Sequence, residues 1–308
     1  MHRIHFIAIG GPVLRCLAIA SSKKNNITVS GSDIEIAEPV LSTLKLHGIL
    51  PEKMGWFPEK INKSLTSIVI GKNVAADNPE LLKAKELGLR VLSYPEYVYL
   101  QTRSKTRIVV GGSFGKATIA SMIVFVLKQL KIDTDYLIEK QCLGSENTVN
   151  LTFDARIAVI EGDESFISTN NNRSKFIFYK AHIAIITGID CSKKNASSSS
   201  EEYIELFKKF TDSMEVQGRL IYFEGDANLI DIASKLRRDI VPFSYKTPKN
   251  EVHDGITFLK SKKGKVPIKI SGEFNLQNIE AARIACRQIG VTDDQFYSVI
   301  GGFAEVSN

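Results

Sequence analysis

Apolar residues in the first hundred positions form short runs separated by stretches with a three-to-four-residue spacing. Ile4–Ile9, Ile27–Ser30, Ser67–Ile70 and Leu89–Ser93 read as buried strands, and Pro39–His47 and Asn78–Leu87 as helices. Asn78-Pro79-Glu80 has the form of an N-cap followed by proline at the first helical position. This alternation predicts a parallel sheet covered by helices on both faces. The polar stretch Gln101–Arg107 reads as a linker. A second α/β series opens with Ile108-Val109-Val110, a glycine-rich turn over Gly111–Gly115 and a helix over Lys116–Lys131. Strands at Ile157–Ile160, Ile183–Thr187 and Arg219–Phe223 follow. In the helix over Glu201–Met214, Tyr203, Ile204, Phe207, Phe210 and Met214 repeat at helical spacing. A β-rich patch, Gly255–Leu259 and Val266–Ile270, precedes helices over Leu276–Ile289 and Asp293–Ile300. The serine run Ser197–Ser200 reads as a mobile loop.

The chain's 308 residues allow two such domains. No apolar run reaches membrane-spanning length, and Gly10-Gly11 interrupts the N-terminal run before a signal-peptide core could form. A net charge of +6 raises the question of nucleic acid. The lysines are dispersed, however, and the cluster Lys260–Lys265 lies between two alternating stretches, as a solvated hairpin turn would. No basic stripe interleaved with aromatics accompanies it, so neither nucleic acid nor a membrane is the expected partner. Cys16, Cys142, Cys191 and Cys286 form no Cys-x-x-Cys pair, which fits a reducing cytoplasm and argues against a zinc site.

The segment Val109–Thr118 carries the most chemistry. Glycines after a strand permit close backbone approach to an anion, successive N–H groups point at it, and the helix N-terminus adds partial positive charge. Gly112, Ser113, Gly115, Lys116 and Thr118 are thus candidates for holding phosphate, with Lys116 as the point charge. A tight strand–helix turn with a solvated lysine is the other reading. Val110 stands where a full Walker A motif has its first glycine, and Ala117 where a hydroxyl normally ligates magnesium. Gly10-Gly11, followed by Pro12-Val13, is not a dinucleotide fingerprint. It reads either as a simple turn or as a diphosphate contact. Asp33, after Gly31-Ser32, is either a helix N-cap or a carboxylate for ribose or uridine hydroxyls.

Taken in order, His5–Gly11, Val29–Asp33, Asp77–Leu81, Gly112–Thr118, Glu161–Glu164, Ile185–Ile189 and Asn275–Asn278 resemble the Mur ligases. The likeness runs over nearly the whole chain. It is greatest to the branch that joins L-alanine, or L-alanyl-γ-D-glutamyl-meso-diaminopimelate, to UDP-N-acetylmuramate. The resemblance implies a Rossmann-like UDP-sugar-binding domain over residues 1–103, with Gly10, Gly11, Ser32 and Asp33 at the nucleotide sugar. A P-loop ATPase-like central domain with a parallel sheet is implied over residues 104–308. ATP would lie on Gly112, Ser113, Gly115, Lys116, Thr118, Asn275 and Asn278, with Lys116 catalytic and Glu161 on Mg2+. Such ligases activate the muramate carboxylate as an acyl phosphate, which an amine then attacks. The family's third, C-terminal domain would begin where this chain stops, so it is expected to be absent, or supplied by a separate polypeptide.

The departures concentrate in the chemistry. Where the family reads Gly-Thr-His-Gly-Lys-Thr-Thr, this chain has Phe114 for the histidine and Ala117 for the metal-binding threonine. Ser192-Lys193 replaces an Asp-His pair, and Phe274 opens the segment that reads His-Asn-x-x-Asn in the family. Asn275 and Asn278 also suit simple helix capping, Glu161–Glu164 an acidic turn, and Lys193 a solvated loop position; His182 reads as structural. Phosphoryl transfer depends on positioning and charge neutralisation, so these losses imply a Mur ligase-like protein of peptidoglycan synthesis or recycling with impaired ligation. The alternative is a non-catalytic UDP-sugar- or nucleotide-binding module, or a decaying relative of the ligases.

Overall fold

A computed structural model of the chain describes residues 1–139, 148–168, 171–193 and 199–304. Cys142 and positions 197 and 198 of the serine run lie outside them. The fold is α/β with parallel sheets, in two compact units. The first comprises Met1–Gln101 with Asn147–Asp154 and Phe166–Arg173; the second comprises Thr102–Glu146, Ala155–Ser165 and Ser174–Asn308.

In the first unit, strands β1 (His2–Ile7), β2 (Ile27–Ser32), β3 (Ser67–Ile70) and β4 (Val91–Ser93) pair in parallel in the order β2-β1-β3-β4. With them go the helices α1 (Pro12–Ser22), α2 (Val40–Leu46), α3 (Pro79–Glu86) and α4 (Tyr94–Thr102). The sheet is held through β1, whose last four residues are all buried; Phe6 packs edge-on against Tyr97 of α4. Asn78 caps α3 by accepting from the N–H groups of Glu80 and Leu81, an interaction worth about 1 kcal/mol.

The hydrophobic pattern missed α1 and α4. Gly10-Gly11-Pro12 reads as a break, whereas Pro12 occupies the first helical turn, where its fixed φ and missing N–H cost nothing. The expected linker Gln101–Arg107 is shorter than its polarity suggests. Helix α4 runs to Thr102 and the next strand begins at Thr106. Arg107 is almost fully buried there, donating to the carbonyls of Tyr179, Lys180, Thr102 and Arg103 and to Glu215. His182, which accepts from the Arg107 N–H at 3.2 Å, has the structural place expected of it.

The second unit is built on β5 (Thr106–Gly111), β6 (Thr134–Leu137), β7 (Ile157–Glu161), β8 (Ile183–Ile186), β9 (Arg219–Phe223) and β10 (Val241–Tyr245). They pair in parallel in the order β10-β9-β8-β5-β7-β6. The central strands β5 and β8 are almost continuously apolar, as strands covered on both faces must be. Helices α5 (Lys116–Gln129), α6 (Lys175–Phe178), α7 (Ser200–Asp212), α8 (Ala227–Ser234), α9 (Glu273–Gln288) and α10 (Asp293–Ile300) complete the unit with a small antiparallel sheet. That sheet, β11 (Asn250–His253), β12 (Ile256–Ser261) and β13 (Gly264–Ile268), contains the lysine-rich hairpin. Helix α5 is almost wholly buried within the main core, which fixes the direction of its N-terminus. Ser199 and Glu202 form a capping box that starts α7, and Phe210 of that helix stacks on Phe176 at 4.4 Å.

Candidate functional site

In the second unit β5 has β7 on one side and β8 on the other, so the order of connection reverses at its carboxyl end. Open α/β sheets bind ligands at such reversals. Gly112 follows β5 with φ 118°, and Gly115 precedes α5 with φ 65°, both conformations that favour glycine. A Cβ at Gly112 would strike Thr187, and one at Gly115 would overlap the Asn278 amide. Loop 112–115 is further tied to the end of β8. The Ser113 N–H donates to Gly188 O at 2.9 Å, the Thr187 hydroxyl to Phe114 O at 2.5 Å, and the Asp190 N–H to Ser113 Oγ at 2.8 Å.

Lys116 begins α5 and folds back on the loop. Its ammonium lies 2.7 Å from Gly112 O and 3.1 Å from Glu164 Oε2. Tyr203 of α7 donates to Glu164 Oε1 at 3.3 Å and stands 3.5 Å from Ser113 Oγ. Burial pushes its phenol up to about 12, so it remains a donor at neutral pH. Thr118 is half-buried in the first turn of α5. Asn278 reaches the loop from α9, whereas Asn275 donates to Ser271 O at 3.0 Å, within its own helix start.

Glu161 ends β7 and is buried. Burial raises its carboxyl above the ordinary range even though Oε2 accepts the Glu139 N–H at 2.7 Å. Burial also works to raise Asp163, but the Lys175 charge, 2.6 Å away, and hydrogen bonds from Lys175 and Ser165 outweigh it and hold the carboxyl low. The residues here do not fit a magnesium ion well. Ala117 offers no oxygen, and among the described residues no three His, Cys, Asp or Glu side chains gather as metal ligands. Lys193 instead lays its ammonium on the loop, donating to Ser113 O at 3.0 Å and lying 3.6 Å from the Phe114 ring centroid. Phe274 stands 6.1 Å from Phe114, both rings exposed to solvent. The three positions that depart from the family's histidines thus form one cluster.

In the first unit, Gly10 and Gly11 follow β1 at the reversal between β2 and β3. Gly11 is the N-cap residue of α1, and the Gly10 N–H donates to Asp33 Oδ2 at 2.9 Å. The structure therefore brings Gly10, Gly11 and Asp33 together. Ser32 sits beside them in sequence but faces inward: it is buried, and its hydroxyl donates to Glu80. Glu80 also approaches His5 Nε2 at 3.4 Å and accepts the Phe57 N–H at 2.7 Å.

The Mur ligase middle domain matches residues 110–286, more than half of the chain, and a Mur ligase family catalytic domain matches residues 3–105. The chain belongs to the Mur ligase family. UDP-N-acetylmuramate–L-alanine ligase of Carboxydothermus hydrogenoformans is 29% identical over 95% of this chain and 63% of its own length. The enzyme of the same name from Paenarthrobacter aurescens is 28% identical over 99% of this chain and 66% of its own. The chain thus spans a little under two-thirds of the length of these relatives. Among solved structures, UDP-N-acetylmuramate:L-alanyl-gamma-D-glutamyl-meso-diaminopimelate ligase from Neisseria meningitides superposes with a TM-score of 0.86, at 21% identity and over 100% of both chains. A murein peptide ligase from Psychrobacter arcticus gives 0.83 at 21% identity, over 100% of this chain and 69% of that one. These likenesses establish the fold.

Within this Mur ligase fold, three contributors to the loop's surroundings escaped the sequence reading. Tyr203 was visible only as one apolar position of α7, since helical spacing does not reveal that its hydroxyl spans Ser113 and Glu164. Glu164 lay in a quoted motif, but its ion pair with Lys116 crosses 48 positions. Asp226 caps α8 through the N–H groups of Asn228 and Leu229, and its other oxygen accepts the Ile189 N–H at 2.6 Å. An aspartate ahead of a helical pattern is a signal that could have found the cap.

Proposed function

We propose that residues 104–308 bind the polyphosphate of ATP on loop 112–118, and that residues 1–103 bind a UDP-N-acetylmuramate-type nucleotide sugar at Gly10, Gly11 and Asp33. In this reading the protein is a Mur ligase-like component of peptidoglycan synthesis or recycling whose ligation step is impaired. The observation that carries it is the loop itself. Two glycines that admit no side chain, a helix N-terminus fixed by a buried helix, and Lys116 beside the loop form an anion cradle. Bound ATP would supply the phosphoryl group that activates the muramate carboxylate. Lys116 would exchange its Glu164 partner for phosphate oxygens, and Asn278 would hold the loop in shape.

The replacement of metal-binding groups supports impairment. Removing one well-placed electrostatic stabiliser commonly costs about 10²–10³ in rate, and here Ala117 and Lys193 alter two. A non-catalytic nucleotide-binding module is the second reading, favoured by the placement of Lys193 on the loop. Titration calorimetry with ATP and with UDP-N-acetylmuramate tests binding. A ligation assay with L-alanine or the tripeptide amine separates the two readings. Slow but ATP-dependent ligation supports the impaired enzyme, and nucleotide binding without turnover supports the module. A folded protein that takes up neither ligand overturns both.

A further inference from the structure

Two lysines meet the loop of this Mur ligase fold in different electrostatic situations. Lys116 is paired with Glu164 at 3.1 Å. Lys193 has no carboxylate within ion-pair distance among the described residues; its contacts are the Ser113 carbonyl and the face of Phe114. Asp190, three positions earlier, gives its carboxylate to the Ser192 N–H and feels the Lys193 charge only from beyond ion-pair distance. An aromatic face holds an ammonium in place without neutralising it. Lys193 is therefore a fixed positive charge at the rim of an anion cradle.

Where the family likeness expects histidine, the chain has Phe114, Lys193 and Phe274, and these three side chains meet. A lysine alone at a metal-ligand position would be an isolated charge. Lysine together with a phenylalanine on which it rests is a self-consistent arrangement, and it forms where Ala117 offers no oxygen to a metal. A resident ammonium also repels a divalent cation arriving in the same place.

We propose that the loop is a metal-free polyphosphate site in which the Lys193 ammonium replaces the charge of a divalent cation. The proposal rests on the nucleotide-binding reading and adds a preference to it: the uncomplexed polyphosphate is the ligand, and the magnesium complex binds worse. The magnesium complex carries two fewer negative charges and places its ion against Lys193.

The test is titration calorimetry of the full chain with ATP and with inorganic pyrophosphate, in EDTA and in excess magnesium. The expected result is affinity at least about tenfold higher in EDTA for both probes, a difference of about 1.4 kcal/mol. Lys193→Met should weaken the metal-free form about tenfold and abolish the preference, and Lys193→Arg should retain it. Thermal melting of each variant confirms folding. If Lys193→Met weakens both forms equally, the lysine is only a loop brace and the proposal falls. Binding by the parent chain that requires magnesium also overturns it, while leaving the nucleotide reading standing. Absence of ATP binding by folded protein overturns the two together.

Discussion

The side-chain amide of Asn278, in α9, occupies the space into which a Cβ on Gly115 would project. Residues 163 positions apart thus meet at the left-handed turn from which α5 starts. Gly115→Ala must accommodate a methyl group against the Asn278 amide and hold φ 65°, a conformation costing a non-glycine residue of order 1–3 kcal/mol. We expect a loss of about 1–3 kcal/mol in urea unfolding and loss of detectable ATP binding. In the double variant Gly115→Ala/Asn278→Ala the clash is relieved, so part of the stability should return. If the double variant is no more stable than Gly115→Ala, the steric account is wrong.

The buried Arg107 brace gives a second prediction. Its guanidinium closes the start of β5 against the carbonyls of Tyr179, Lys180, Thr102 and Arg103 and pairs with Glu215 at 2.6 Å. Arg107→Met keeps much of the apolar bulk but removes every guanidinium donor; Thr102 O then keeps the Lys105 N–H. Breaking a buried charged network of this kind costs about 3–5 kcal/mol. Glu215 is one-third exposed and can hydrate, so the lower end of that range is expected. Denaturant unfolding should show a lowered midpoint with an unchanged slope; a loss under 1 kcal/mol would contradict the brace.

The parts of this structure legible in the sequence are those encoded locally. Strands Ser67–Ile70 and Arg219–Phe223, helix Asp293–Ile300 and the Asn78 cap lie where their patterns place them. The glycine turn between β5 and α5 is legible because a strand, glycines and a helix start adjoin in sequence. Interactions set by the packing of distant segments were not. Ser32 follows Gly31 in a motif that suggests a ligand and shares a face of β2 with exposed Thr28 and Ser30, yet Glu80, 48 positions away, covers it and takes its hydroxyl. Lys193 carried both a solvated and a site reading until the fold placed Phe114 beneath it.

The buried His5–Ser32–Glu80 group predicts a pH dependence of stability. Burial acts to raise the Glu80 carboxyl, but hydrogen bonds from His5, Ser32 and the Phe57 N–H outweigh it and hold the group below its ordinary value. A carboxylate depressed on folding contributes stability that is fully present above its unfolded value, about 4.3, and is lost as pH falls through the folded value. Glu80→Gln should therefore lower the melting temperature at pH 7 and flatten its fall below about pH 4 relative to the parent chain. Parallel melting curves for variant and parent across that window would remove Glu80 from the account.

Two substitutions would turn the proposed metal-free loop toward a metal-binding one. Ala117→Ser restores a hydroxyl at the second position of α5, and Lys193→His removes the resident cation while returning an imidazole. Glu161 remains at the end of β7, its carboxyl raised by burial although the Lys116 charge acts against that rise. A divalent ion nearby would favour the charged carboxylate, as opposite charges within about 4–6 Å do. The double variant Ala117→Ser/Lys193→His should consequently bind ATP more tightly with magnesium than with EDTA, reversing the order expected of the parent chain. Lys193→His alone should lose the metal-free preference without gaining a full magnesium response, because position 117 still lacks an oxygen. If the double variant binds ATP without regard to magnesium, the deficit lies elsewhere, with buried Glu161 and its Glu139 N–H bond the first place to look.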